Sequence, residues 1–155
     1  MPKVGLKNAI WVLVCDGRKA LLLQNSGDHV YPKLETRKVY EHPDPLSHDL
    51  GTDVPGRTVS GSPGRHSAME PKDYQRIAEE SFLKHIAADL DHAVGSGDIK
   101  DLILVAPARA LGMIRHDLSH NVRAVIRAEI DRDYVRAPVY EIERHLADVL
   151  SERSV

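Results

Sequence analysis

Two short units, Pro55-Gly56-Arg57 and Pro63-Gly64-Arg65, place an arginine directly after a glycine twice in one segment, and His66 follows the second. Glycine lets backbone amides come close to an anion, and a planar guanidinium forks onto two oxygens at once, so such a pair suits the clasping of phosphate or carboxylate. Gly56, Arg57, Gly64, Arg65 and His66 are the candidate binding residues, with an RNA backbone or an acidic protein as the matching partner. The competing reading is a solvated loop with no ligand. Arg115 is a further candidate, and its competing role is a salt bridge that locks a helix onto the sheet edge. Lys100, Arg109 and Arg127 would add to a basic surface if the fold brought them together.

Other reactive side chains lack the company that catalysis requires. His116-Asp117-Leu118-Ser119-His120 imitates the zinc-protease helix, in which histidines four apart share one face. Asp117 is shorter than the glutamate of that pattern, the helix is predicted to end near Ser119-His120, and no third ligand is identifiable, so a solvated helix end is the expected state. His42, His48 and His66 match no structural zinc spacing. Ser60, Ser62 and Ser67 stand among prolines and glycines rather than on a strand-turn-helix elbow that would activate a nucleophile. Two-metal nuclease chemistry needs converging carboxylates, and the strand Leu102–Val105 ends in Ala106, Pro107, Ala108 and Arg109. The expectation is therefore no catalytic residue, no metal and no cofactor, with a hydrolase of unknown substrate as an alternative.

The elements that must position these residues follow from pattern. Ala9–Cys15 is β-branched and aromatic, and Asp16-Gly17 after it is a strong hairpin signal because both positions tolerate positive φ. Ala20–Gln24 returns, Asn25-Ser26-Gly27-Asp28 turns, and residues 33–40 form a third strand whose lysines and other charges suit a sheet edge. From 41 to 71 the composition shifts to proline and glycine, with acids early (Glu41, Asp44, Asp49, Asp53) and the arginine units late. A stretch of that length without regular structure is uncommon inside a compact domain and is usually functional or disordered.

Ala78, Phe82, Ile86, Leu90 and Ala93 fall on one helical stripe, with Gly95 ending the helix. The run Leu102–Val105 is apolar enough to be covered on both faces, and Pro107 stops it while suiting the first turn of a helix. Leu111, Ile114 and Leu118 make that helix's inner face, with Asn121 as a left-handed cap. Alternation of Val122, Ala124, Ile126, Ala128 and Ile130 with polar residues predicts a half-exposed strand. A last helix starts near Pro138 and turns Val139, Ile142, Leu146, Val149 and Leu150 inward. The predicted order is β-β-β-α-β-α-β-α, an α/β fold.

Bulk properties bound the function. The 155 residues suit one domain, which at this size buries roughly 70% of its unfolded surface. A net charge of −2 gives no global attraction to nucleic acid or membrane, so any basic site is local. Cys15, the single cysteine, sits in an apolar run and is expected to be a buried thiol. The apolar run from Ala9 is too short for a signal-peptide core, and no stretch of about 18 apolar residues exists, so a soluble, cytoplasmic chain without membrane contact is expected.

Taken in order, Trp11-Val12-Leu13-Val14 with Asp16-Gly17, Gly56-Arg57, Leu104-Val105-Ala106-Pro107 with Leu111-Gly112-x-x-Arg115, and Glu129-Ile130-x-x-Asp133 with Glu141-Ile142-Glu143-x-His145-Leu146 span nearly the whole chain. In this it resembles the bacterial family of proteins required for attachment to host cells. Arg18-Lys19 departs from that pattern, in which small residues are usual, as does Tyr134 in place of leucine. That family resembles in turn the middle domain of archaeal and eukaryotic peptide-chain release factors and of Pelota. The resemblance implies a single domain over 1–155, with a five-stranded mixed sheet of ribonuclease-H-like order flanked by helices and a long loop after the third strand. In release factors that loop carries Gly-Gly-Gln, whose glutamine positions the water that attacks peptidyl-tRNA. Here it reads Gly61-Ser62-Pro63-Gly64-Arg65-His66, with no glutamine between Val30 and Tyr74. The function so implied is a non-catalytic binding module that contacts the ribosome, rRNA, tRNA or a translation-related protein through its Gly/Arg loop. The alternative, a host-attachment factor, would act directly or indirectly.

Overall fold

Strand and helix content follows the hydrophobic patterning closely. The computed structural model describes residues 5–41 and 71–153. Strands β1 (Trp11–Cys15), β2 (Lys19–Asn25) and β3 (Leu34–Glu41) form an antiparallel meander, and helix α1 (Pro71–Gly95) follows. Strand β4 (Leu102–Ala106), helices α2 (Ala108–Asp117) and α3 (His120–Val125), strand β5 (Ile126–Asp131) and helix α4 (Val139–Arg153) complete the chain. The sheet order is β3-β2-β1-β4-β5, with β4 parallel to both β1 and β5. This is the mixed five-stranded sheet flanked by helices that the family resemblance implies.

Both faces of the sheet are covered, which explains the unbroken apolar run of β4. Leu13, Cys15, Leu22, Leu102 and Leu104 point to the side of α1, α2 and α3, where Phe82, Leu83, Ile86, Leu90 and Ile114 meet them. Val12, Val14, Leu23, Ile103 and Val105 point the other way, against Ile142, Leu146 and Leu150 of α4. Adjacent residues thus serve opposite cores, as the two-residue period of a strand requires. Asn25, the one buried polar residue among those described, stitches the N-terminal segment to the β2–β3 turn. Its amide donates to the carbonyls of Leu6 and Lys7 at 2.6 and 3.1 Å, and its oxygen accepts from the amides of Gly27 and Lys33 at 2.9 and 2.8 Å.

Three local expectations are corrected. Residues 122–125 belong to helix α3, not to the last strand, and Asn121 lies inside that helix rather than capping the previous one. Leu118 leaves α2 in extended geometry, and the Ser119 side chain then caps a new helix by accepting from the Val122 amide at 3.2 Å. A serine cap and inward-facing Val122 outweigh the alternation read over the same residues. Second, α1 ends on Gly95 as expected, but the left-handed residue that follows is Gly97, at φ 86°. The Asp98 amide closes this end by donating to the Ala93 carbonyl at 2.9 Å. Third, the β1–β2 turn does not use positive φ, which among the described residues occurs only at Ala9 and Gly97. The Asp16 carboxylate builds the turn instead, accepting from the amides of Arg18 and Lys19, both at 2.8 Å.

Candidate functional site

The carboxyl ends of β1, β3, β4 and β5 lie at one end of the sheet, because Val14 pairs with Val105, Ala106 with Asp131, and Lys19 at the start of β2 with Glu41 at the end of β3. Chain direction diverges there. After β1 the chain turns back into β2 on one side, and after the adjacent parallel β4 it crosses to β5 on the other. A crevice outside such a reversal is the general ligand position of open α/β sheets. Here it is a cleft of about 320 Å³ lined by Asp16, Gly17 and Arg18 from the β1–β2 turn, Pro107 and Arg109 from the start of α2, Glu79 of α1, and Arg136 from the turn before α4.

Each basic group reaches this cleft from a different segment. Arg18 is carried by the turn that Asp16 organises. Arg109 projects from the first turn of α2, and its Nη2 lies 2.9 Å from Oε1 of Glu79, the more buried partner. Arg136 follows buried Val135 in a turn closed by the Ala137 amide on the Tyr134 carbonyl at 3.0 Å. Gly17 lies close under Glu79 across the cleft, and a Cβ there would stand 2.7 Å from Cγ of Glu79, so a larger residue would require that side chain to move. Arg109 and Met113 also border a second groove of about 750 Å³ between α1 and α2, where Ile77, Lys84 and His116 line the walls. Among the described residues, the side chains lining the strand-end cleft are mainly guanidinium and carboxylate groups, which suit ionic recognition.

The residues singled out from sequence are distributed as follows. Gly56, Arg57, Gly64, Arg65 and His66, with the rest of 42–70, lie outside the described residues. Their flanks are described: Glu41 pairs with Lys19 beside the β1–β2 turn, and Pro71 opens α1 about two turns before Glu79. Arg115 is away from the cleft, its guanidinium paired with Glu129 of β5 through a 3.0 Å Nε–Oε1 bond and a second, shorter one from Nη2. Lys100, Arg109 and Arg127 do not converge. Arg127 holds Asp101 at 2.5 Å at the opposite end of the sheet, where Lys7 also reaches Asp101 at 3.1 Å. Burial alone would raise the Asp101 carboxyl, but the hydrogen bonds from Arg127 and Lys7 prevail and hold it below its ordinary value.

His116 is exposed at the last turn of α2 and His120 opens α3, so the helix break keeps them off a common face. Among the described residues no three His, Cys, Asp or Glu side chains are grouped to hold a metal ion. Sequence reasoning passed over Arg136 as a site residue, and it met Arg18 only as a departure from the small residues usual after Asp16-Gly17. That departure was the available signal, an added guanidinium at a strand-end turn.

A family model described as bacterial archaeo-eukaryotic release factor family 12 matches residues 9–146. The chain belongs to this family. The match covers β1 through most of α4, so the cleft and its three arginines all fall inside the release-factor family region. Among solved structures, the archaeal translation termination factor aRF1 is similar at 10% identity and a TM-score of 0.46, over 93% of this chain and 39% of that one. Dom34 of S. cerevisiae, described as a translation termination-like factor involved in RNA quality control pathways and interacting with Hbs1, is similar at 14% identity and a TM-score of 0.37, over 96% and 40%. This release-factor family member thus spans about two fifths of the length of either. No curated protein matches the chain. Among the described residues no helix is long and apolar enough to cross a membrane.

Proposed function

We propose that this release-factor family member is a non-catalytic binding module that works in the cytoplasm and contacts RNA on the ribosome through Gly56-Arg57 and Gly64-Arg65, with His66 beside them. Membership of the release-factor family across residues 9–146 carries this reading. Two further facts support it. The segment bearing both Gly/Arg units follows Glu41, which lies at the sheet end where the arginine-lined cleft opens, and precedes α1, whose Glu79 lines that cleft. The same segment has no glutamine, so the water-positioning side chain of peptide release is missing and binding without hydrolysis is the role left to it. The engagement of Arg115 with Glu129 supports a strut between α2 and β5 as its part in the module.

Ribosome co-sedimentation tests this. Binding through phosphates weakens steeply with salt, so the protein is expected to pellet with ribosomes at about 50 mM salt and to leave them by about 200 mM. Arg57→Ala/Arg65→Ala should reduce the pelleted fraction at low salt. A protein that stays in the supernatant at every salt concentration, and binds neither rRNA nor tRNA, refutes the proposal. A host-attachment role would instead place the protein at the cell surface, which fractionation reads directly.

A further inference from the structure

We infer that the cleft at the carboxyl ends of β1 and β4 is a phosphate site, in which Arg18 and Arg136 are the direct ligands and Arg109 is the anchored third. Its RNA form rests on the function proposed above, whereas its phosphate chemistry does not.

Charge placement is the first reason. Three guanidinium groups from segments far apart in sequence border one concavity of about 320 Å³. Like charges repel, and assembling them is unfavourable unless something opposes them. Among the described residues only Arg109 is opposed by a partner, Glu79 at 2.9 Å. The Asp16 carboxylate also borders the cleft, but its Oδ1 is committed to the amides of Arg18 and Lys19 at 2.8 Å, which fixes the turn. The side chains of Arg18 and Arg136 have no ionic or hydrogen-bonding partner among the described residues and are exposed, each with five N–H donors to offer.

Backbone geometry favours the same charge. Helix α2 begins at the cleft without a side-chain cap on its first amides and without an acidic residue in its first turn, so its positive end is not neutralised from within. Arginine rather than lysine at all three positions suits the tetrahedral oxygens of phosphate, which accept the planar fork in pairs. The cleft, of about 320 Å³, has room for a phosphate group with its attached sugar.

Two variant pairs and two probes decide the matter. Arg18→Gln/Arg136→Gln removes the direct ligands, and both positions are exposed and unpaired, so the melting temperature should match wild type. Arg57→Gln/Arg65→Gln alters only the segment invoked for the proposed function. The first probe is inorganic phosphate, read by shifts of the Gly17, Arg18 and Arg109 amide resonances. Wild type should shift and the Arg18/Arg136 variant should not. The second probe is a single-stranded oligouridylate, whose Kd should rise at least about tenfold in the Arg18/Arg136 variant. The salt slope should then fall by about 0.7 for each phosphate that the variant leaves without its arginine.

Phosphate shifts that vanish in the Arg18/Arg136 variant, without any oligouridylate binding, would keep the cleft as a site for a free phosphate or nucleotide and remove the RNA reading of function. RNA binding that ignores Arg18→Gln/Arg136→Gln overturns the cleft, and loss of that binding in Arg57→Gln/Arg65→Gln would leave the proposed function standing. No response of wild type to either probe overturns both.

Discussion

Cys15 and Gly17 stand two residues apart at the end of β1 and are constrained in opposite ways. Cys15 is fully buried, and burial first, with the neighbouring Asp16 charge second, pushes its thiol up to about 12. Since the thiolate is the reactive form, native protein at pH 8 should resist iodoacetamide, whereas urea-unfolded protein should be alkylated readily. Rapid labelling of the folded protein would show that the β1 end opens. Gly17 faces outward to the cleft, where the side chain of Glu79 occupies the space that a Cβ needs. Both identities were visible in the sequence, but their reasons were not equally visible. A lone cysteine in an apolar run is predictably buried, because the run itself supplies the apolar surroundings. Gly17 reads in sequence as a turn residue chosen for positive φ, but it does not use positive φ, and its close neighbour is the Glu79 side chain of a helix more than sixty positions away.

At the scale of elements, the join between β3 and α1 is carried by one carboxylate. Asp89 Oδ2 accepts from the Tyr40 hydroxyl and from Lys38 Nζ, both at 2.8 Å. The Lys38 hydrogen bond is the main reason that the Asp89 carboxyl sits below its ordinary value, against a smaller upward push from burial. Tyr40 is pushed up to about 12, by burial first and by Asp89 second, and so keeps its proton as donor. A lowered acid stabilises the fold above its unfolded-state pKa and loses that contribution as pH falls through the folded-state value. Asp89→Asn should therefore cost about 1 kcal/mol at pH 7, a size set by partly exposed charged hydrogen bonds. In urea titrations the gap from wild type should persist down to the ordinary carboxylate value of 3.8 and close below it. A gap that does not change with pH would mean that packing, not charge, is what Asp89 supplies.

For the molecule as a whole, the sheet is shared by two cores that cannot separate. Ile103 faces α4 and Leu104 faces α1 and α2, and both are completely buried in neighbouring positions of β4. Truncating either to alanine removes a similar volume, so each should cost about 2–5 kcal/mol. Far-UV and near-UV circular dichroism should report one coincident unfolding transition for both variants. Separate transitions would show that the α4 face melts apart from the rest. The release-factor family match runs through both cores, in keeping with one cooperative unit that presents its strand ends on one side.

Composition and periodicity alone determined strands β1 to β4, the three longer helices, the buried thiol and the absence of glutamine between Val30 and Tyr74. These depend on local chemistry: β-branched runs, helical stripes, one cysteine, one missing residue type. Tertiary structure alone decided three things. Residues 120–125 became a helix because Val122 could be buried in the core beside α1 and α2. Arg127 and Lys100 were drawn to one end of the sheet and Arg109 to the other. Arg18 and Arg136, 118 positions apart in a chain of 155, came to share one cleft. Charge convergence is a property of sheet order and crossover direction, and a linear sequence shows which residues carry charge but not which of them the fold brings face to face.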